Sequence, residues 1–229
     1  MIFRQLFDQE TWTYTYLLAD EITREAVLID TVNTQAERDL NLLNDLNLEL
    51  KFILDTHVHA DHITGADILR KSTGAKTVGG EKFNIECMDL TVKDQEEIAF
   101  GQYKIKVLAT PGHTDGCTSY LVDNKLFTGD VLFIRGTGRT DFQQGNSEKM
   151  YFSIKNKFYS LPNDTKVYPG HDYKGMMVST IGEEKRLNPR IKSDTTLSEF
   201  KQTMANLKLP NPKYLHVAVP ANLSCGKTE

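Results

Sequence analysis

The pattern of apolar and polar positions predicts strands in the first part of the chain. Residues 13–18 and 26–29 are runs of aromatic, aliphatic and β-branched side chains separated by a polar turn, as expected for neighbouring strands. Residues 35–46 carry leucines at helical spacing, which predicts a helix with one apolar side. A short apolar run at 52–54 predicts a further strand, and a helix is predicted at 64–71.

The middle of the chain repeats this alternation of strands and helices. A strand-rich stretch runs from residue 97 to residue 122, and Asp123-Asn124 then predicts a turn into a strand at 125–128. A helix is predicted at 147–159 and a strand at 165–168. Paired strands with helices between them favour a layered α/β sandwich built on mixed sheets.

The pattern changes after Tyr173. Residues 178–187 and 197–207 have helical spacing, and no internal repeat or flexible linker is visible. The final stretch contains three prolines, Pro210, Pro212 and Pro220. We therefore predict a single domain with a core at residues 1–175 and a C-terminal extension, residues 176–229, that packs on it.

Composition places the chain among ordinary soluble globular proteins. Hydrophobic residues make up 39% and charged residues 25% of the 229 positions. The net charge is −4, with 27 basic and 31 acidic side chains and no basic block, so we expect no nucleic-acid partner. No apolar run is long enough to span a bilayer, and residues 1–8 resemble neither a signal peptide nor a transit peptide.

Cysteine usage predicts a reducing compartment. Cys87, Cys117 and Cys225 are odd in number, lie far apart and form no C-x-x-C pair. This pattern argues against a disulfide framework and is typical of cytoplasmic proteins. We therefore expect three thiols and a cytoplasmic location.

Five of the six histidines fall in three short motifs whose residue types are those of metal ligands. The motifs lie at residues 56–62, 110–114 and 168–173, and a carboxylate follows the apolar run before the last of them. Neutral imidazole and carboxylate suit zinc, iron and other first-row metals. The seven candidate ligands are His57, His59, Asp61, His62, His113, Asp130 and His171. A lone histidine is usually solvated or hydrogen-bonded, but this clustering predicts a metal site.

The spacing also predicts where these groups lie. His57, His59 and His62 cannot share one face of a helix, whereas a spacing of two projects side chains to one side of a strand end or loop. Each motif follows a predicted apolar strand, and strand ends hold side chains rigidly enough for a preorganised site. Ligand counting alone predicts two metal ions bridged by Asp130, and nothing in the sequence gives a reason for one of the two sites to be empty.

The order and spacing of the seven groups resemble the signature of the metallo-β-lactamase superfamily. The resemblance implies an αβ/βα sandwich with two mixed β-sheets flanked by helices and a short C-terminal helical segment. It also implies a metal at the shared edge of the two sheets. It does not fix the reaction, because one fold carries many chemistries.

Three further stretches resemble the persulfide dioxygenases of that superfamily, namely residues 135–145, 187–190 and 218–222. The resemblance implies one iron(II) per chain, held by His57, His113 and Asp130. Iron can pass electrons to O2, whereas zinc has no accessible redox change. The implied reaction converts glutathione persulfide, O2 and water into glutathione and sulfite. The other four candidates would orient ligands and water or hold a second metal: His59, Asp61, His62 and His171.

Charge indicates which groups would bind glutathione. Its two carboxylates suit guanidinium forks, and Arg139 and Arg190 lie within or beside the stretches that carry the resemblance. Tyr173 could donate a phenolic hydrogen bond near the metal. Asp141 is expected to hold Arg139 in place rather than touch substrate. The expected assembly is a homodimer.

The main rival is a hydroxyacylglutathione hydrolase of the glyoxalase II type. Such an enzyme would use the same seven groups in a dinuclear metal centre that generates hydroxide and polarises a thioester. About fifty residues follow Tyr173 here, which is short for the helical glutathione-binding domain of those hydrolases. A β-lactamase lacks its secretion signal here, and a nuclease lacks its basic surface. A non-enzymatic sensor would be expected to have lost ligands, and none of the seven is missing.

Overall fold

Two six-stranded β-sheets pack face to face in the computed structural model, which describes residues 1–85, 87–210 and 214–227. The strands of the first sheet are β1 Ile2–Phe7, β2 Tyr14–Ala19, β3 Glu25–Ile29, β4 Glu49–Leu54, β5 Lys76–Gly80 and β6 Leu90–Val92. They lie in chain order, antiparallel from β1 to β3 and parallel from β3 to β6.

The second sheet is mostly antiparallel, whereas the first is mostly parallel. Its strands are β7 Glu97–Phe100, β8 Tyr103–Ala109, β9 Thr118–Val122, β10 Lys125–Gly129, β11 Lys166–Pro169 and β12 Ser179–Thr180. Neighbouring strands are antiparallel except for the parallel pair β10 and β11. The carboxyl ends of β10 and β11 therefore meet at one edge of the sheet.

Helices cover the outer faces of the sheets. They are α1 Ala36–Asp45, α2 Ala66–Thr73, α3 Ser147–Phe152 with a π-helical continuation at Ser153–Phe158, α4 Ile181–Leu187, α5 Leu197–Ala205 and α6 Leu215–Leu223. One apolar cluster fills the space between the sheets, a second lies under α1 and α2, and a third lies under α3, α4 and α5. The predicted layered sandwich of two mixed sheets flanked by helices is confirmed.

Alternation along β2 shows how the sequence builds these layers. Tyr16 and Leu18 face the space between the sheets, whereas Leu17 and Ala19 face the helical layer. Every residue of β2 is buried, because helices cover the face turned away from the second sheet. In α1, Leu43 packs in that helical layer, so the predicted apolar side of this helix is confirmed.

The C-terminal part differs from its predicted pattern at two places. The helix predicted at 178–187 begins only at Ile181, because Thr180 forms a capping box with Glu183 and the two residues before the helix pair with β11. Pro220 lies inside α6, a helix that the prolines did not suggest. Pro212 lies outside the described residues. The division of the domain at residue 175 stays a prediction.

Cys87 and Cys225 form a disulfide, so the expectation of three thiols was wrong for two of them. The two cysteines are 138 positions apart in sequence, yet their Cα atoms are 6.1 Å apart. Sequence spacing gave no sign of this pair, because it depends on α6 folding back onto the loop after β5. Cysteine usage therefore gives no support to a reducing compartment. Among the described residues, no helix has the length and apolar character needed to cross a membrane.

Candidate metal centre

The first histidine motif forms the loop that leaves β4. His57, His59 and His62 are all buried in this loop, between the end of β4 and the start of α2. Their position at a strand end is the one that the spacing of two predicts. The loop lies at the carboxyl ends of the parallel strands β3 and β4, where neighbouring strands bring their final residues together.

The remaining candidate groups reach the same place from the second sheet. His113 lies in the loop between β8 and β9, Asp130 directly follows β10, and His171 follows β11. Gly129 adopts a φ of +49°, and a Cβ built there would lie 2.4 Å from Thr56 Oγ1. Glycine is therefore required where the end of β10 passes the histidine loop.

The candidate ligands divide into two groups. One donor atom from each of His57, His113 and Asp130 lies within 4.8 Å of the other two, and the same holds for His59, Asp61 and His62. The triad implied by the family resemblance is therefore brought together in space.

His171 lies between the two groups. Its Nε2 is 3.4 Å from Asp61 Oδ2 and 3.5 Å from Asp130 Oδ1. Asp130 also lies 3.7 Å from His113, measured from Oδ2 to Nε2. All seven groups predicted from the sequence therefore belong to one continuous site.

Several ligand-type atoms at this site have no hydrogen-bond partner among the described residues. They are His57 Nε2, His59 Nδ1, His62 Nε2 and Asp130 Oδ1, and all four are buried. An unpartnered buried polar atom costs about 1–3 kcal/mol, so four of them in one place is an arrangement that a bound cation would satisfy. Imidazole and carboxylate donors fit a first-row transition metal.

Hydrogen bonds fix which nitrogen of each histidine faces the site. Three rings donate from Nδ1 to an oxygen outside the cluster: His57 to Thr56 Oγ1 at 3.0 Å, His113 to the Arg139 carbonyl at 2.8 Å, and His171 to the Trp12 carbonyl at 3.2 Å. The opposite nitrogen then carries a lone pair turned inward, as a metal ligand requires.

Asp30 is a functional candidate that sequence reasoning missed. Its carboxylate accepts hydrogen bonds from Thr56 N at 2.7 Å and Thr56 Oγ1 at 2.9 Å, and His59 Nε2 lies 3.2 Å away. Asp30 therefore orients His59 directly and His57 through Thr56. One signal was present in the sequence, because Asp30 follows the predicted strand at 26–29 just as the histidines follow the next strand.

Burial and nearby charges shift the pKa values of two neighbouring histidines in opposite directions. Burial, with His59 and His113 nearby, holds the pKa of His57 well below its ordinary value. Burial alone would lower the pKa of His59, but Asp30 outweighs it and raises that pKa to about 9. Burial raises the pKa of Asp55, whose Oδ1 lies 3.9 Å from His59 Nε2, to about 7. Of His57 and His59, His57 is therefore the uncharged imidazole.

A cavity of about 570 Å³ opens over the site. Its lining includes Trp12, Phe133, Ile134, Arg139, Tyr173 and Arg190. This volume is typical of sites for small molecules. The three predicted substrate-binding residues, Arg139, Tyr173 and Arg190, therefore line the same cavity as candidate ligands.

The guanidinium groups of the two candidate arginines differ in their partners. Arg139 donates from Nε and Nη2 to the carboxylate of Asp141, at 2.6 and 2.8 Å, and from Nη1 to the carbonyl of Pro210. Arg190 donates to the carbonyl of Thr137, and none of the described carboxylates lies within ion-pairing distance of it. Burial lowers the pKa of Arg190. Arg190 is therefore the cavity arginine with donors to spare for an anion.

Tyr173 lies at the mouth of the cavity. Its side chain is 61% exposed, and its ring lies parallel to that of His171 with centroids 6.1 Å apart. The indole of Trp12 also lies beside the Tyr173 ring, with centroids 6.3 Å apart. The phenol is thus held by ring contacts beside the site while its edge remains open to solvent.

Comparisons with known proteins agree on one superfamily. The model of the metallo-beta-lactamase superfamily matches residues 13–171. Persulfide dioxygenase ETHE1 of Homo sapiens is 46% identical and that of Mus musculus 45% identical, and each alignment covers 99% of this chain and 89% of the relative. Glyoxylase B2 of Dictyostelium discoideum is 31% identical over 95% of this chain and 88% of its own length.

A solved structure supports the same assignment. The crystal structure of ETHE1 from Myxococcus xanthus superposes with a TM-score of 0.97 at 52% sequence identity, covering 99% of this chain and 100% of that one. The αβ/βα fold expected from the histidine motifs is therefore confirmed.

Proposed function

The chain belongs to the persulfide dioxygenase family of the metallo-β-lactamase superfamily, and we propose that its substrate is glutathione persulfide and its metal a single iron(II) ion. The overall reaction consumes one persulfide, one O2 and one water, and releases glutathione, sulfite and two protons. The observation that carries this proposal is near-full-length identity to persulfide dioxygenases together with the close grouping of His57, His113 and Asp130.

We propose that those three residues hold the iron. Two imidazoles and one carboxylate on one side of a metal leave coordination positions open for O2 and for a sulfur ligand. Support comes from the unpartnered His57 Nε2 and Asp130 Oδ1, and from hydrogen bonds that turn a lone pair of each histidine inward. When bound, iron(II) would supply the redox activity that lets O2 react with the persulfide, whose outer sulfur provides the four electrons that reduce O2.

The other candidate ligands are proposed to orient water and the reacting groups. His62 Nδ1 is hydrogen-bonded to Asp61 Oδ2 at 2.8 Å, and the same carboxylate oxygen lies 3.4 Å from His171 Nε2, so Asp61 lies between the two rings. His171 Nε2 lies between two carboxylates, where it could take up one of the protons that the reaction releases.

Substrate recognition is assigned to the cavity wall. Arg190 is proposed to bind a glutathione carboxylate, because it lines the cavity and its guanidinium has donors to spare. Arg139 and Asp141 are proposed to order the loop beside His113, since they are already paired to each other. Trp12, Phe133 and Ile134 would shield the sulfur from water, and the Tyr173 phenol would donate a hydrogen bond to the substrate.

A dinuclear hydrolase remains the second candidate, and one specific observation favours it. His59 Nδ1 and His62 Nε2 are buried and have no partner among the described residues, as expected if a second metal bound there. The similarity to Glyoxylase B2 of Dictyostelium discoideum points in the same direction, but at 31% identity against 46%.

Three measurements separate the candidates. Protein purified without added metal should contain about one iron per chain, and with glutathione persulfide it should consume O2 and release sulfite. Hydrolysis of S-lactoylglutathione should be weak. Two tightly bound zinc ions with thioesterase activity, or sulfur turnover that continues without O2, would overturn the proposal. Light scattering would check the homodimer, which stays a prediction.

A further inference from the structure

The end of α6 packs against the back of the histidine loop. Asn222 is 3% exposed and uses both ends of its side-chain amide. Its Nδ2 donates to the His59 carbonyl at 2.9 Å and to the His62 carbonyl at 2.8 Å, and its Oδ1 accepts from Thr64 N at 2.9 Å. One side chain therefore ties together three backbone groups of the loop that carries three candidate metal-site histidines.

The segment that follows β3 holds the same loop through backbone hydrogen bonds. Asn33 N donates to the Ile63 carbonyl at 2.8 Å, and Gly65 N donates to the Thr31 carbonyl at 3.1 Å. The loop is thus clamped between the backbone of residues 31–33, just after β3, and the side chain of Asn222. Removing Asn222 would leave one side of the clamp without its protein partners.

Cys225 and Gly226, just after α6, lie close to the histidine loop. Cys225 is buried in a small apolar cluster with Phe83 and Ile85, against which Val58 of the histidine loop packs. Gly226 has a φ of +78°, and a Cβ built there would lie 2.6 Å from the Thr64 carbonyl oxygen. The chain therefore comes closer to the loop than any other residue type would allow.

We infer that Asn222 is a positioning residue for the metal centre and that the Cys87–Cys225 disulfide anchors the helix end that carries it. Cys87 belongs to the segment after β5, which is fixed to the first sheet by β6. The disulfide therefore joins the end of α6 covalently to the same sheet from which the histidine loop emerges. The inference rests on the metal site proposed above.

The decisive comparison is between Asn222→Ala and Asn222→Asp. Aspartate keeps the size of the side chain and an acceptor for Thr64 N, but its carboxylate places an oxygen against the His59 and His62 carbonyls. If Asn222 acts only by filling space, Asp should behave like the wild type. If its donated hydrogen bonds position the loop, Asp should be impaired like Ala. Asn206→Ala, at an exposed asparagine at the end of α5, is the matched control.

Two readouts that need no catalysis follow the loop directly. The first is amide hydrogen exchange of residues 57–65 in iron-free protein, measured by mass spectrometry. The second is the affinity for ferrous iron added anaerobically. Both Asn222 variants should exchange faster in this segment and bind iron on the order of 10–100-fold more weakly, the range found when a group supporting a ligand is lost. Asn206→Ala should match the wild type.

The disulfide is tested separately, so the inference stays falsifiable if the Asn222 variants do not fold. Cys87→Ser, or wild-type protein reduced with dithiothreitol, should speed exchange in residues 57–65 by less than Asn222→Ala does. Reductant should have no further effect on Cys87→Ser. Wild-type exchange and iron affinity in Asn222→Asp would overturn the positioning role, and wild-type exchange of both residues 214–227 and residues 57–65 in Cys87→Ser would overturn the anchoring role. Neither readout uses persulfide, so failure of the proposed reaction would leave these results interpretable.

Discussion

The two groups of candidate ligands are assembled in different ways. His57, His113 and Asp130 come from the ends of strands in both sheets, so this group exists only when the sheets pack. The second group lies within residues 59–62, and the conformation of one loop suffices to bring it together. The first group therefore depends on the packing of both sheets. The second depends on the contacts that hold a single loop in its conformation.

The residues that orient the histidine rings also differ between the two groups. The rings of His57 and His113 are oriented by a threonine hydroxyl and a backbone carbonyl. The ring of His59 is oriented by the buried carboxylate of Asp30, and that of His62 by Asp61 beside it. The second group thus lies among carboxylates that already satisfy part of its hydrogen-bonding capacity. Carboxylates also orient histidines that bind metal, so the proposal of a metal at the first group rests on the similarity to persulfide dioxygenases.

Removal of His57 should have the largest effect on this comparison. His57→Ala deletes one of three proposed ligands, and we expect iron content and activity to fall to near zero in protein purified without added metal. Elemental analysis and O2 consumption would measure both. His216→Ala, at an exposed position on α6, should keep full iron. Full iron in His57→Ala would show that the first group is not the metal site.

Removal of His59 should have a smaller effect on iron. His59→Ala deletes an orienting group, so iron affinity should fall on the order of 10–100-fold while saturating iron still fills one site per chain. An anaerobic iron titration would measure this. A loss as complete as that of His57→Ala, or a wild-type stoichiometry of two metals falling to one, would instead assign His59 as a ligand.

Arg190 extends the comparison from metal to substrate. Truncation to alanine removes a charge-assisted contact worth about 1.5–3 kcal/mol where it is made, so kcat/KM should fall about ten- to a hundredfold, mostly through KM. Iron content should stay at the wild-type level. Arg190→Lys should restore activity only in part, because an ammonium cannot reproduce the guanidinium fork. Unchanged steady-state kinetics would remove Arg190 from the substrate site.

Arg139 should show the smallest effect of the four. Its fork is engaged by Asp141, so Arg139→Ala should loosen the loop beside His113 rather than delete a substrate contact. We expect kcat/KM to fall about tenfold at full iron, with the loss in kcat rather than KM. A loss confined to KM would show instead that Arg139 leaves Asp141 to bind substrate.

The sequence predicted what depends on local pattern. The spacing of His57, His59 and His62 placed them at a strand end, and the apolar run before Asp130 placed that carboxylate at another. The layered sandwich followed from the alternation of strands and helices. These features could be predicted because each depends on residues close together in the chain.

What the sequence did not predict depends on distant partners. Asp30 bears no mark that distinguishes it from any aspartate at a strand end, although it braces two histidines. Asn222 lies in a stretch noticed only for its resemblance to a family. The disulfide joins residues whose spacing matches no common motif. In each case the role appears only when α6 or a neighbouring strand is placed beside the histidine loop.

The contact between Asn222 and Thr64 also sets an order of events during synthesis. The two residues are 158 positions apart, so at about 5–20 residues per second a ribosome adds Asn222 roughly 8–30 s after Thr64. During that interval the nascent chain carries the histidine loop without its clamp. If Asn222 positions the metal centre as proposed, tight loading of metal waits until translation has supplied the segment that closes the site from behind.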